Sequence, residues 1–96
     1  MADPSPLEYV FAKHLGSVLR TRRQELGLSQ EQVALRADID RRHYQDLEYG
    51  MSNSRNRTPA NPRLSTLFAL SRALEMSIVD LLDSASKDMK EHIKQI

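Results

Sequence analysis

The chain has 96 residues, 40% of them hydrophobic and 28% charged, with no cysteine and a net charge of +1. That length holds one small domain, and the ordinary composition excludes a chain disordered throughout. The missing thiols exclude a disulfide scaffold, a thiolate zinc site and a cysteine nucleophile.

The charge is unevenly spread. Residues 13–63 carry ten Lys or Arg against six Asp or Glu, while residues 1–12 and 64–96 are slightly acidic. A basic middle is compatible with a polyanionic partner but is equally compatible with a solvated surface. No apolar run is long enough to cross a membrane, and residues 1–7 lack the basic and apolar blocks of a signal peptide. The expectation is a cytoplasmic protein that makes no membrane contact.

Helical spacing dominates the chain. Leu7, Val10, Phe11, Leu15, Val18, Leu19 and Leu26 form one apolar stripe. Pro4 and Pro6 suit the entry to that helix, and Gly27 suits its exit. Ser29 then caps a short second helix, with Gln32 three residues on completing a capping box. Val33, Ala34 and Leu35 supply its apolar face, and it ends near Arg36 or Ala37. Asp38 and Ile39 make a turn. Asp40 caps a third helix, with Tyr44 and Leu47 facing inward and Gly50 stopping it.

Residues 51–62 hold two prolines, three asparagines and little to bury, so they are expected to form a loop. Its length marks it as functional or mobile. Leu64, Leu67, Phe68, Leu70, Ser71 and Leu74 give a fourth helix. Ser77 is a candidate cap for a short fifth helix carrying Ile78, Val79, Leu81 and Leu82. Met89, Ile93 and Ile96 fall at i, i+4 and i+7, compatible with one more amphipathic helix. No run alternates as a strand does. The expected division is a domain over 1–83 and a helical tail over 84–96.

The block from Ser29 to Gly50 has the layout of a helix-turn-helix, two short capped helices about a tight turn. Its first helix crosses a DNA backbone and its second enters the major groove. Backbone amides at the start of the second helix, by Ser29 and Gln30, can bind a phosphate. On the third helix the outward face offers Arg41, Arg42, Gln45 and Asp46. Arginine pairs with guanine O6 and N7, and glutamine with adenine N6 and N7. Two arginines in a first helical turn oppose the macrodipole, a cost that a purely structural helix avoids. Asp46 is expected to brace Arg42 across one turn, with acceptance from cytosine N4 as the alternative. His43 on the same rim is a further candidate for phosphate contact.

The run Leu26-Gly27-Leu28-Ser29-Gln30-Glu31-Gln32-Val33-Ala34, then Ile39-Asp40 and Leu47-Glu48-Tyr49-Gly50, resembles the lambda-repressor/Cro-like helix-turn-helix family, also called the XRE family. Leu64-Ser65-Thr66-Leu67-Phe68-Ala69-Leu70-Ser71-Arg72-Ala73-Leu74-Glu75-Met76-Ser77-Ile78 resembles its fourth helix and the lead into its fifth. The likeness spans about residues 15–82. Within the family, Ile39-Asp40-Arg41-Arg42-His43-Tyr44 is most similar to restriction–modification controller proteins and related small regulators.

The resemblance implies an all-α, compact five-helix DNA-binding domain. It implies backbone contact by Gln30, base reading from Arg41, Arg42, Gln45 and Asp46, and an ion pair between Arg23 and Glu48. The loop over 51–62 is longer than the family's, and its Arg55 and Arg57 are expected to reach phosphate or the minor groove.

One such domain contacts few base pairs, so a homodimer on an inverted repeat of double-stranded DNA is expected. The fifth helix or the tail would supply its interface. A transcriptional regulator is the leading reading. An antitoxin-type protein, which binds a toxin partner and represses its own promoter, is the alternative. An enzyme is disfavoured. His14, His43 and His92 are scattered, no carboxylate cluster has metal spacing and no Gly-rich phosphate loop is present. No cofactor and no metal are expected.

Overall fold

The computed structural model describes residues 3–52, 58–87 and 89. Five helices follow one another: α1 Pro6–Glu25, α2 Gln30–Ala37, α3 Arg41–Tyr49, α4 Leu64–Ala73 and α5 Ile78–Ser86. The all-α, five-helix expectation holds. Among the described residues the one β feature is an antiparallel bridge between Met51 and Pro59.

Local chemistry explains most helix ends. Ser5 caps α1 through a capping box with Glu8, and Pro6 fills the first helical position. Gly27, at φ +69°, lets the chain leave α1. Ser29 and Gln32 form the expected box at α2: the Ser29 amide donates to Gln32 Oε1 at 2.8 Å, and the Gln32 amide donates to Ser29 Oγ at 3.0 Å. Asp38 closes α2 in the left-handed region at φ 56°, which a short polar side chain tolerates better than most. Asp40 caps α3 by accepting from the Arg42 amide at 3.0 Å, and Gly50 ends α3 at φ 89°. Ser77 caps α5 by accepting from the Asp80 amide at 2.9 Å.

Arg63 precedes α4 with no side-chain cap. The other end of α4 is tied down from elsewhere. Arg22 donates to the carbonyls of Leu74 and Glu75 at 2.9 and 3.1 Å, and Arg36 donates to that of Ala73 at 3.2 Å. Two cations thus sit where the helix dipole is negative.

Helix α1 packs on α5 and α3, and α2 packs on α4 and α3. Leu15, Leu19, Val33, Tyr44, Leu47, Leu70, Leu74 and Leu81 fill the space between them. Tyr44 and Leu47 point inward as expected. Leu35 does not: it is 80% exposed. Residues 33–35 run through about 200° of a helix, so all three cannot share one buried face. Leu64, Phe68 and Val79 are likewise exposed.

Two further differences concern the end segments. Helix α5 runs on past the expected division at 83 to Ser86, and it buries Ala85. The loop over 51–62 is pinned at both ends. The Ser52 amide donates to the Thr58 carbonyl at 2.8 Å, the Ala60 amide donates to the Gly50 carbonyl at 3.0 Å, and Pro59 is buried. Of the expected tail stripe, Met89 lines a cleft with Leu7, Phe11 and Leu67. Ile93 and Ile96 lie outside the described residues, as do Arg55 and Arg57.

Gly16 sets the distance between α1 and α3. A Cβ there would fall on the backbone carbonyl oxygens of Glu48 and Leu47, whereas one at Gly27 would meet nothing. Gly16→Ala is expected to cost about 3 kcal/mol, because two backbones must part. Gly27→Ala is expected to cost about 1 kcal/mol, from its left-handed backbone alone. Urea unfolding of the two variants measures the difference.

Candidate nucleic-acid interface

The sequence places four outward side chains on α3. Arg41 and Arg42 lie in its first turn and are exposed. No ion pair or side-chain hydrogen bond holds either guanidinium among the described residues. Asp40 caps the helix just before them, but no acidic residue stands within the turn itself. The helix therefore presents two free cations at its own positive end.

The expected brace between Arg42 and Asp46 is not formed among the described residues. The spacing is right, but the order is the weaker one: an acid stabilises best when it precedes the base along the helix. Asp46 instead shares a shallow cleft with Arg20, Gln30, Gln45, Glu48 and Tyr49. His43 is exposed on α3. Ser29 is exposed at the start of α2, where its hydroxyl is engaged in the cap.

Behind this face lies a carboxylate. Glu48 is only 4% exposed. Arg23 grips it in bidentate fashion, Nε to Oε2 at 2.6 Å and Nη2 to Oε1 at 3.1 Å. The remaining terminal nitrogen of Arg23 donates to the Leu28 carbonyl at 3.0 Å. Gln30 Nε2 donates to Glu48 Oε1 at 3.0 Å, and Arg20 Nε stands 3.8 Å from the same oxygen. The fork geometry suits a guanidinium, whose flat donor pair matches a carboxylate.

Burial alone would push the Glu48 carboxyl up. The hydrogen bonds from Arg23 and Gln30 and the Arg23 charge outweigh it, and the net shift is downward. Arg23 is shifted upward, chiefly by its hydrogen bond to Glu48. Tyr44 lies beside the pair. Burial, followed by the nearby carboxylate, raises its hydroxyl above the usual phenol range. That hydroxyl is fully buried and has no hydrogen-bond partner.

Two links on this face have no short-range sequence signal. Gln30 bonds to Glu48 eighteen residues away, and Gln45 Nε2 donates to Gln30 Oε1 at 3.1 Å across fifteen residues. Gln30 is therefore held by both neighbours. Arg20 also joins the cleft, a basic residue on α1 that the helix-turn-helix pattern does not single out. Among the described residues no group of three or more His, Cys, Asp or Glu side chains could hold a metal. No helix there is long and apolar enough to cross a membrane.

Two short capped helices, a tight turn between them and an exposed basic face on the second define a helix-turn-helix domain. A family model described as helix-turn-helix matches residues 19–81, and the chain belongs to that family, of XRE type. Its members are DNA-binding transcription regulators, and this chain is one of that class.

Solved structures agree. The restriction–modification controller protein C.AhdI from Aeromonas hydrophila is similar at 28% identity and a TM-score of 0.62, over 73% of this chain and 94% of that one. The wild-type restriction–modification controller protein C.Esp1396I is similar at 25% identity and 0.65, over 93% and 100%. The clp gene regulator ClgR from Corynebacterium glutamicum shares the fold at 21% identity and 0.70, over 98% and 86%. No curated protein matches the chain.

The Glu48 shift makes a pH prediction. A carboxylate held below its ordinary value stabilises the fold fully above that value, and the stabilisation is lost as pH falls through the lower folded one. Urea midpoints of the wild-type chain are expected to drop on acidification below the usual glutamate range. Glu48→Ala is expected to cost about 3–5 kcal/mol at neutral pH, because Arg23 is left without its partner. The same variant should show a flatter acid limb.

Proposed function

We propose that this chain is a sequence-specific regulator that binds an inverted-repeat operator as a homodimer, with α3 in the major groove. The observation that carries this reading is the pair Arg41 and Arg42, free and exposed in the first turn of α3. A helix start already favours anions. Two unpaired cations there raise the local positive potential further, which suits a polyanion and serves no intramolecular partner.

In this arrangement Arg41, Arg42, Gln45 and Asp46 address base edges. The two arginines favour guanine and Gln45 favours adenine. Ser29, Gln30 and His43 lie toward the backbone and set register through phosphate contacts. Arg55 and Arg57 are assigned to phosphate or minor-groove contact, on the sequence alone. Two copies read half-sites about one helical turn apart. The exposed Val79 on α5 supports an interface on that helix, since a lone apolar side chain there gains by pairing with its symmetry mate.

The test is a mobility shift on the DNA upstream of the protein's own gene and on duplexes selected from a random pool, at several salt concentrations. Arg41→Ala with Arg42→Ala is expected to abolish preferential binding while circular dichroism stays native. Each bidentate arginine–guanine pair supplies about 1–3 kcal/mol of discrimination, and the double variant forfeits it. Arg55→Ala with Arg57→Ala is expected to flatten the slope of log affinity against log salt by roughly 0.9 for every phosphate no longer neutralised. No shift at any salt would overturn the reading and point to a protein partner.

For the assembly, sedimentation of the wild-type chain should give a dimer, and Val79→Glu should shift it toward monomer. An unchanged dimer in Val79→Glu would move the interface off α5.

A further inference from the structure

We infer that Glu48 and Gln30 fix the hydrogen-bond polarity of Gln45, which makes Gln30 a positioning residue for base reading as well as a backbone contact. The inference rests on the reading of Gln45 as a base-reading residue.

A glutamine amide has two faces of nearly equal shape. One end donates and the other accepts, and a half-turn about the last bond exchanges them. A free glutamine therefore presents either end to a groove. Gln45 is not free. Its orientation follows from a chain of bonds that begins at Glu48.

Glu48 is buried and held as a carboxylate by Arg23. A carboxylate only accepts hydrogen bonds. The end of Gln30 that meets Glu48 Oε1, at 3.0 Å, must be its NH2 group. The Gln30 carbonyl oxygen is thereby turned toward Gln45, where it accepts from Nε2 at 3.1 Å. Gln45 must use one N–H inward. Its carbonyl oxygen and its second N–H have no partner among the described residues. One donor and one acceptor side by side are what adenine N6 and N7 require.

The direction of every bond in this relay follows from one ionised group. Arg23, Glu48, Gln30 and Gln45 lie on α1, α3, α2 and α3, so the relay also spans the three helices of the reading head. Gln30 is the only step in it that is neither buried charge nor reading residue, and it can be removed without stranding Arg23 or Glu48.

The test is selection from a randomised duplex library by the wild-type, Gln45→Ala, Gln30→Met and Glu48→Gln chains, each checked for native circular dichroism and read by sequencing. The wild type is expected to select adenine at the position that Gln45→Ala broadens. Gln30→Met, close to glutamine in size, should broaden that same position, with discrimination against other bases falling about tenfold. Preferences set by Arg41 and Arg42 should persist. Glu48→Gln, where it stays folded, should also broaden that position, since an amide there lets Gln30 turn over.

If Gln30→Met weakens binding to all sequences alike and leaves the adenine preference intact, Gln30 acts on phosphate alone and the relay is overturned. A wild-type preference for another base at the Gln45 position overturns it too. If Gln45→Ala leaves every position unchanged, it is the base-reading assignment of Gln45 that fails, and the relay falls with it.

Discussion

One buried carboxylate organises the helices that would meet DNA. Glu48 sits near the end of α3, almost wholly out of water, and takes donors from two other helices: Arg23 on α1 and Gln30 on α2. Removing such a charge from water is costly, and its attraction to a partner offsets that only when the geometry is close and the remaining groups are satisfied. Here the fork is bidentate, and the last terminal nitrogen of Arg23 binds the Leu28 carbonyl in the turn before α2. Relative to apolar packing of the same volume the arrangement therefore adds little stability, but it does much for position. An apolar cluster of equal volume could hold three helices together, yet it would not set which way an amide faces at the surface.

The close crossing of α1 and α3 is part of the same constraint. Glu48 reaches Arg23 because Gly16 lets the backbone of α1 come against the carbonyls of Leu47 and Glu48. The turn at Gly50 packs against the neighbouring residues Ala12 and Lys13. A side chain at position 16 would push α3 outward along with every residue on its far face. Tyr44 shows the cost of this density. Its ring fills the core beside the ion pair, and its hydroxyl is buried with no bond. Burial and the neighbouring carboxylate keep that phenol neutral, so the core beside the pair carries no second negative charge.

What is readable in the sequence is local. Caps at Ser29, Asp40 and Ser77 and the stops at Gly27 and Gly50 depend on residues within one turn, and the structure has each in place. Inward facing of Tyr44 and Leu47 follows from the same short period. The face of α2 is misjudged at Leu35 because a run of three apolar residues does not say which two are buried. The far end of α5 escapes the pattern because Ser84 opens the polar stretch that reads as a tail, while Ala85 beside it is buried. Gly16 does leave a signal: a glycine inside a helical stripe weakens the helix, so it calls for a packing reason. The Gln30–Gln45 and Gln30–Glu48 bonds join residues fifteen and eighteen apart, and a single sequence carries no mark of such a pairing.

The contrast between the two halves of α3 gives the sharpest physical statement about this domain. Its C-terminal half is committed: Glu48 is gripped, Leu47 and Tyr44 are buried, and Gln45 is tied to Gln30. Its N-terminal turn is uncommitted, with Arg41 and Arg42 exposed at a helix end that disfavours cations. Elsewhere the chain uses its arginines well. Arg22 and Arg36 sit on the C-terminal carbonyls of α4, where the dipole welcomes them. The same sequence thus places some cations where they stabilise the fold and two where they do not. A helix whose far end is rigid and whose near end carries two unpaired guanidinium groups holds that charge at a fixed height and angle for something outside the chain.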